Sequence, residues 1–194
     1  MEAVKAVAEL IGMLLLEPRT GLLFALLVTA AVIDYRSYRI PNWLTFGGTA
    51  FALVYSLIVP FHREAGITWA LWGLLLGFVV MLPLYALGVM GAGDVKLMAM
   101  VGAFLGLTDT VYALLFAMAA GGVAALMVSL WRKSLLRMFR NIKNVVQATV
   151  YTTFGGMRPQ AFLNPGESVG KLPYGVSICV GTVVYVVAKQ LGYA

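Results

Sequence analysis

One cysteine and one histidine among 194 residues leave little material for metal or thiol chemistry. Cys179 stands alone in an apolar stretch, so neither a disulfide framework nor a Cys-x-x-Cys zinc site can be drawn; a small buried hydrophobe is its expected role. His62 cannot supply the two histidines of a His-Glu-x-x-His site, and any Ser-His-Asp triad would hang on that one loop residue. Neither a catalytic metal nor a cofactor is expected. Charge is scarce as well. Only 11% of the chain is charged against 61% hydrophobic, and the mean hydropathy is +0.91. Such a chain cannot cover its apolar surface with its own polar groups, which makes it an integral membrane protein. No alternating ten-residue strand pattern recurs, so helices rather than a barrel satisfy the backbone in lipid. The expectation is a single all-α membrane domain over residues 1–194.

Six apolar runs predict transmembrane helices: Thr20 to Tyr35, Trp43 to Val59, Ile67 to Gly88, Asp94 to Leu107, Thr110 to Trp131 and Pro173 to Leu191. The fourth is short and barely crosses hydrocarbon at about 1.5 Å per residue. Met1 to Leu16 carries Glu2, Lys5 and Glu9 in an apolar pattern without a basic leader, and reads as an amphipathic interfacial helix rather than a cleaved signal. Between the last two runs lies a long basic connection, residues 132–171. Its first part sets Leu135, Leu136, Met138, Phe139 and Ile142 among five cations, the pattern of a helix lying on anionic lipid. The rest is a turn-rich loop that either tethers or covers a site.

The net charge of +6 does not point to nucleic acid, because the basic residues gather in short loops where topology and lipid headgroups account for them. Arg36, Arg39, Lys96, Arg132, Lys133, Arg137, Arg140, Lys143, Arg158 and Lys171 fall on one side, and Lys5, Arg19, Arg63 and Lys189 on the other. The richer side is expected to be cytoplasmic, with both termini facing outward.

Two acids then stand out. Asp34 ends the first run, and Asp94 opens the fourth within Gly91-Ala92-Gly93-Asp94; both face the basic side. Glu17, Glu64 and Asp109 belong to the opposite side, and Glu167 sits in the turn-rich loop, where solvation suffices. Singly, each aspartate has a plain explanation. Asp34 can pair with Arg36 or Arg39 at the headgroups, and Asp94 can cap the helix it opens. Together they offer more, since intramembrane carboxylates are costly. Two carboxylates a few ångströms apart do not both ionise readily, so one stays protonated while the other is an anion. The anion can take a proton from water as its partner polarises a peptide carbonyl, which is aspartyl hydrolysis. Gly91 and Gly93 would let an extended substrate backbone approach.

Asp34 with Ile40-Pro41-Asn42, then Gly91-Ala92-Gly93-Asp94-Val95-Lys96, then Lys171-Leu172-Pro173-Tyr174-Gly175, resembles the type IV prepilin peptidases, membrane aspartyl proteases of the Gly-x-Gly-Asp type. The motifs stand in the family's order and cover nearly the whole chain. The resemblance implies that Asp34 and Asp94 are the catalytic pair, that no metal takes part, and that the substrate is a prepilin or pseudopilin whose short basic leader stays cytoplasmic. It implies a multi-pass protein of the inner membrane, with lipids and the precursor as partners. The chain lacks the cytoplasmic insert with paired cysteine motifs of the larger members, and so is similar to the small single-activity peptidases of tight-adherence pilus systems, without N-methylation. Lys96, Lys171, Pro173 and Tyr174 are candidate substrate contacts beside Gly91 and Gly93. Lys96 has two open readings, snorkelling to phosphates or pairing with an acidic residue early in the mature pilin. Pro173 to Gly175 equally suits a helix start. An intramembrane protease of broader specificity and a proton-coupled small carrier are the rival functions, although no internal repeat supports a carrier.

Overall fold

In a computed structural model, residues 17–59, 66–131 and 173–192 are described, and the described residues form helices joined by turns. Five elements follow in order: α1 Pro18–Ser37, α2 Asn42–Ile58, α3 Ile67–Ala86, α4 Ala92–Trp131 and α5 Tyr174–Gln190. The protein is thus a polytopic helical membrane protein. Helices α1, α3 and α4 are long and apolar enough to cross a membrane, and α2 and α5 are shorter apolar helices of 17 residues each. The six expected runs appear as six helical stretches only when α4 is divided at its break. The amphipathic segment expected before Leu16 and the basic connection 132–171 lie outside the described residues.

Local chemistry accounts for most helix ends. Pro18 starts α1, where its missing N–H costs nothing. Tyr38 ends α1 in the left-handed region at φ 51° and donates its N–H to the Asp34 carbonyl at 2.8 Å. Pro41 then stands before α2 in extended geometry. Helix α3 stops at Ala86, two residues short of the expected end, because Gly88 takes φ 71° in the following turn. The expected interruption between the fourth and fifth runs falls at Gly106 (φ 77°, ψ −178°), a backbone geometry open to glycine alone.

Contacts on the two sides of that break show the chain reversing. The Gly102 and Gly106 backbone faces Gly73 and Trp69 near the start of α3; past the break, Asp109 meets Tyr185 and Lys189 near the end of α5, and Gly121 meets Tyr174 and Ser177 near its start. The two halves of α4 therefore run in opposite directions, the first carrying the chain away from Asp94 and the second returning it. Close approach rests on small residues. A Cβ at Gly73 or Gly102 would overlap the other's carbonyl oxygen, and one at Gly181 would overlap the Ala117 backbone. In the glycine pairs of α2 and of the second half of α4, Gly48 meets Met100 and Leu26 and Gly121 meets Tyr174, whereas Gly47 and Gly122 face open space.

The first half of α4 is the centre of the core: Leu97, Met98, Met100, Val101 and Ala103 are fully enclosed. Large apolar side chains such as Leu57, Trp72, Leu115 and Met127 cover the outside, as lipid requires. Trp69 is turned inward, its ring lying against Gly106 and under the Arg19 guanidinium at 4.4 Å. Arg19 is only 5% exposed and donates to the Phe104 carbonyl (2.8 Å), the Ala103 carbonyl (3.2 Å) and Ser56 Oγ (3.2 Å). It caps the carbonyl end of the first half of α4. At the same end Lys189 pairs with Asp109 at 2.5 Å, and the Tyr185 hydroxyl donates to Asp109 at 2.8 Å. The end remote from Asp34 and Asp94 is thus closed by its own polar contacts.

Candidate active site

Asp34 lies in the last turn of α1 and Asp94 in the first turn of α4. They are 5% and 7% exposed, so each is a carboxylate removed from water at a helix end. Such burial needs partners. Each finds one in backbone amides at a helix start, where the first N–H groups lack intrahelical acceptors.

Asp94 reaches back over its own turn, accepting the Gly91 N–H at Oδ2 (3.0 Å), while its own N–H donates to the Gly91 carbonyl at 3.1 Å. This is the acidic half of a capping box, with the acid three residues into the helix. Asp34 is held from far along the chain, because Gly175 donates its N–H to Asp34 Oδ2 at 2.8 Å across 141 residues. Helix α5 has no side-chain cap from Pro173 before it, so the carboxylate of α1 does that work. Such a bond is worth about 1.5–3 kcal/mol to the ionised acid and about 0.5–1.5 kcal/mol to a protonated one.

Neighbouring residues of α5 address both acids. The Gly175 amide holds Asp34, and the Tyr174 hydroxyl interacts electrostatically with Asp94. The charges of Asp34 and Asp94 also act on each other. The site is therefore a meeting of three helix ends. Each carboxylate has its Oδ2 engaged, and among the described residues no protein group bonds either Oδ1. One oxygen of each acid remains for water or substrate.

The candidate substrate contacts fall in different places. Gly91 is exposed at the mouth of the site, and a Cβ there would meet Asp94 Oδ2 at an ordinary 3.4 Å. Gly93 faces protein, since its Cβ would stand 3.1 Å from Ile40 Cβ, so this glycine serves packing of the two turns. Lys96 donates from Nζ to Asn42 Oδ1 at 2.9 Å and lies over the Phe46 ring at 5.2 Å. Pro173 precedes α5, and Tyr174 is half-buried against Gly121. Lys171 lies outside the described residues.

Gly175, Asn42 and Arg19 carry contacts that the sequence alone did not assign to them. A glycine in the first turn of an apolar helix was the available signal for Gly175, because helix propensity alone disfavours it. Asn42 was visible in its motif but not its bond to Lys96, which joins residues 54 apart. Arg19 was read as a topology charge, and nothing local announces that it turns inward. Among comparisons with known proteins, a family model described as the type IV leader peptidase family matches residues 21–126, a stretch containing Asp34, Asn42 and Asp94. No curated protein and no solved structure matches the chain.

Proposed function

The chain belongs to the type IV leader peptidase family, and from that membership we propose a metal-independent aspartyl endopeptidase that removes the short basic leader from a prepilin or pseudopilin at the cytoplasmic face of the inner membrane. The observation that carries the aspartyl assignment is the convergence of two buried carboxylates on the start of α5, each held through one oxygen. A water between the free oxygens loses its proton to the ionised acid and attacks the scissile carbonyl. The protonated acid donates to the carbonyl oxygen, giving a neutral tetrahedral diol. Collapse returns a proton to the leaving amine, with no covalent enzyme adduct.

Location favours clipping at the surface over cutting a helix within the bilayer. Asp34 is three residues from the end of α1 and Asp94 two from the start of α4, a depth of about 3–5 Å at 1.5 Å per residue. Counting α4 as two, the six helical stretches become six passes. Asp34, Asp94 and the larger share of the basic residues then lie on one side, which the charge bias makes cytoplasmic.

The test is incubation of the purified, detergent-solubilised protein with a candidate prepilin, followed by mass determination of the new amino terminus. A single cut after the leader, without a methyl group, is expected. Cuts scattered within the apolar helix of the substrate would support an intramembrane protease of broader specificity instead.

A further inference from the structure

We propose that Lys96 is a positioning residue: with Asn42 it braces the turn between α1 and α2 against the start of α4, and so holds Asp34 and Asp94 at their working separation. This rests on the aspartyl peptidase reading above, which makes the relation of the two acids the quantity that matters. Asp34 is carried by the end of α1, so its place depends on what fastens the chain just beyond. That chain is the short turn from Tyr38 to Pro41, tied to Asp34 by the Tyr38 N–H at 2.8 Å. The turn and the first residue of α2 both touch the start of α4. Ile40 packs on the bare face of Gly93, where a Cβ would come within 3.1 Å. Two residues past Ile40 and three past Gly93, Lys96 Nζ reaches Asn42 Oδ1 at 2.9 Å.

Lys96 is suited to this. It lies two positions past Asp94, roughly 200° around the helix, so its ammonium leaves the face that carries the carboxylate. Its ammonium lies over the Phe46 ring of α2, at 5.2 Å from the centroid. Among the described residues it has no carboxylate partner, and its hydrogen-bond acceptor is a neutral amide. A lysine waiting for an acidic substrate side chain has no need of Asn42; a brace does. Small displacements at a reacting centre are costly, so loosening this turn is expected in kcat rather than in substrate affinity.

The experiment is a double-mutant cycle on prepilin cleavage with kcat and KM separated. Lys96→Met keeps an unbranched side chain of similar length and removes the donor. Asn42→Ala removes the acceptor. Each is expected to lower kcat roughly five- to tenfold with KM within about twofold, and the double variant to be no slower than the slower single. Lys96→Arg and Asn42→Asp, which keep donor and acceptor, should restore most of kcat. A rise in KM with kcat unchanged in Lys96→Met would make the lysine a substrate contact and overturn the brace, as would multiplying effects in the double variant or full activity in both singles. Thermal unfolding in detergent supplies a second cycle for variants that fold poorly. There, coupled shifts of the two singles support the brace and independent shifts oppose it. Should the wild-type protein cleave no prepilin, the peptidase reading fails, and the unfolding cycle alone decides whether the brace exists.

Discussion

Gly175→Ala places a methyl group against Asp34, the nearest side chain to it. The added Cβ would stand 2.9 Å from Asp34 Oδ2, 3.0 Å from its Cβ and 3.1 Å from its Cγ. Contacts that short force a shift, and the buried carboxylate is the group in the way. Its 2.8 Å bond from the Gly175 amide then lengthens or breaks. Loss of one hydrogen bond to a charged group is worth about 1.5–3 kcal/mol, so roughly 2 kcal/mol of transition-state stabilisation, near thirtyfold in kcat, is at stake. Helix propensity works the other way, since alanine in a helix gains about 0.5–1 kcal/mol over glycine. Activity should fall sharply while the melting temperature in detergent changes by a few degrees at most. Gly91→Ala is the matched control, for its Cβ meets Asp94 Oδ2 at 3.4 Å without overlap. It should keep kcat within about threefold and raise KM if the substrate backbone passes over Gly91. Steady-state cleavage of a fluorescent prepilin peptide reads both. Full kcat in Gly175→Ala would show that the Asp34–Gly175 contact has no part in catalysis.

Other perturbations separate the site from its frame. Gly106→Ala puts a side chain at φ 77° and into the Trp69 ring, and should cost about 3 kcal/mol or more in stability, seen as a lowered melting temperature. Arg19→Met strips the donors from the Phe104 and Ala103 carbonyls about 22 Å along α1 from Asp34. It should lower thermal stability by about 2 kcal/mol and leave kcat of the folded protein within about twofold. The rate should rise and then fall with pH, limited in acid by protonation of the base and in alkali by ionisation of the acid. A rate flat across that range, measured with stability checked at each pH, would contradict the dyad.

Much of this frame was legible in the residues. Apolar runs of the right length gave the helices, since lipid imposes a simple rule that composition records directly. Gly106 shows the limit. The expected gap between the fourth and fifth runs was Thr108 and Asp109, yet the chain bends two residues earlier, where glycine allows the geometry and Asp109 is drawn into the Tyr185 and Lys189 cluster. Asp34 and Asp94 could be placed at one end of the bundle by counting passes and basic residues. What held them could not, because the Gly175 amide, the Ile40 side chain and Asn42 act across gaps of many residues without periodic trace. Gly93 illustrates the same point from the other direction: bareness that suggested room for substrate is filled by Ile40.

The most direct measurement is cleavage of a prepilin by Asp34→Asn and Asp94→Asn in detergent, with the amino terminus of the product determined by mass. Asparagine keeps the shape and the acceptor for the Gly175 or Gly91 amide while removing the exchangeable proton and charge. Both variants should insert and unfold like the wild type, yet each should lose roughly 10³-fold or more in rate. Normal processing by either one would mean that these carboxylates do not form the site.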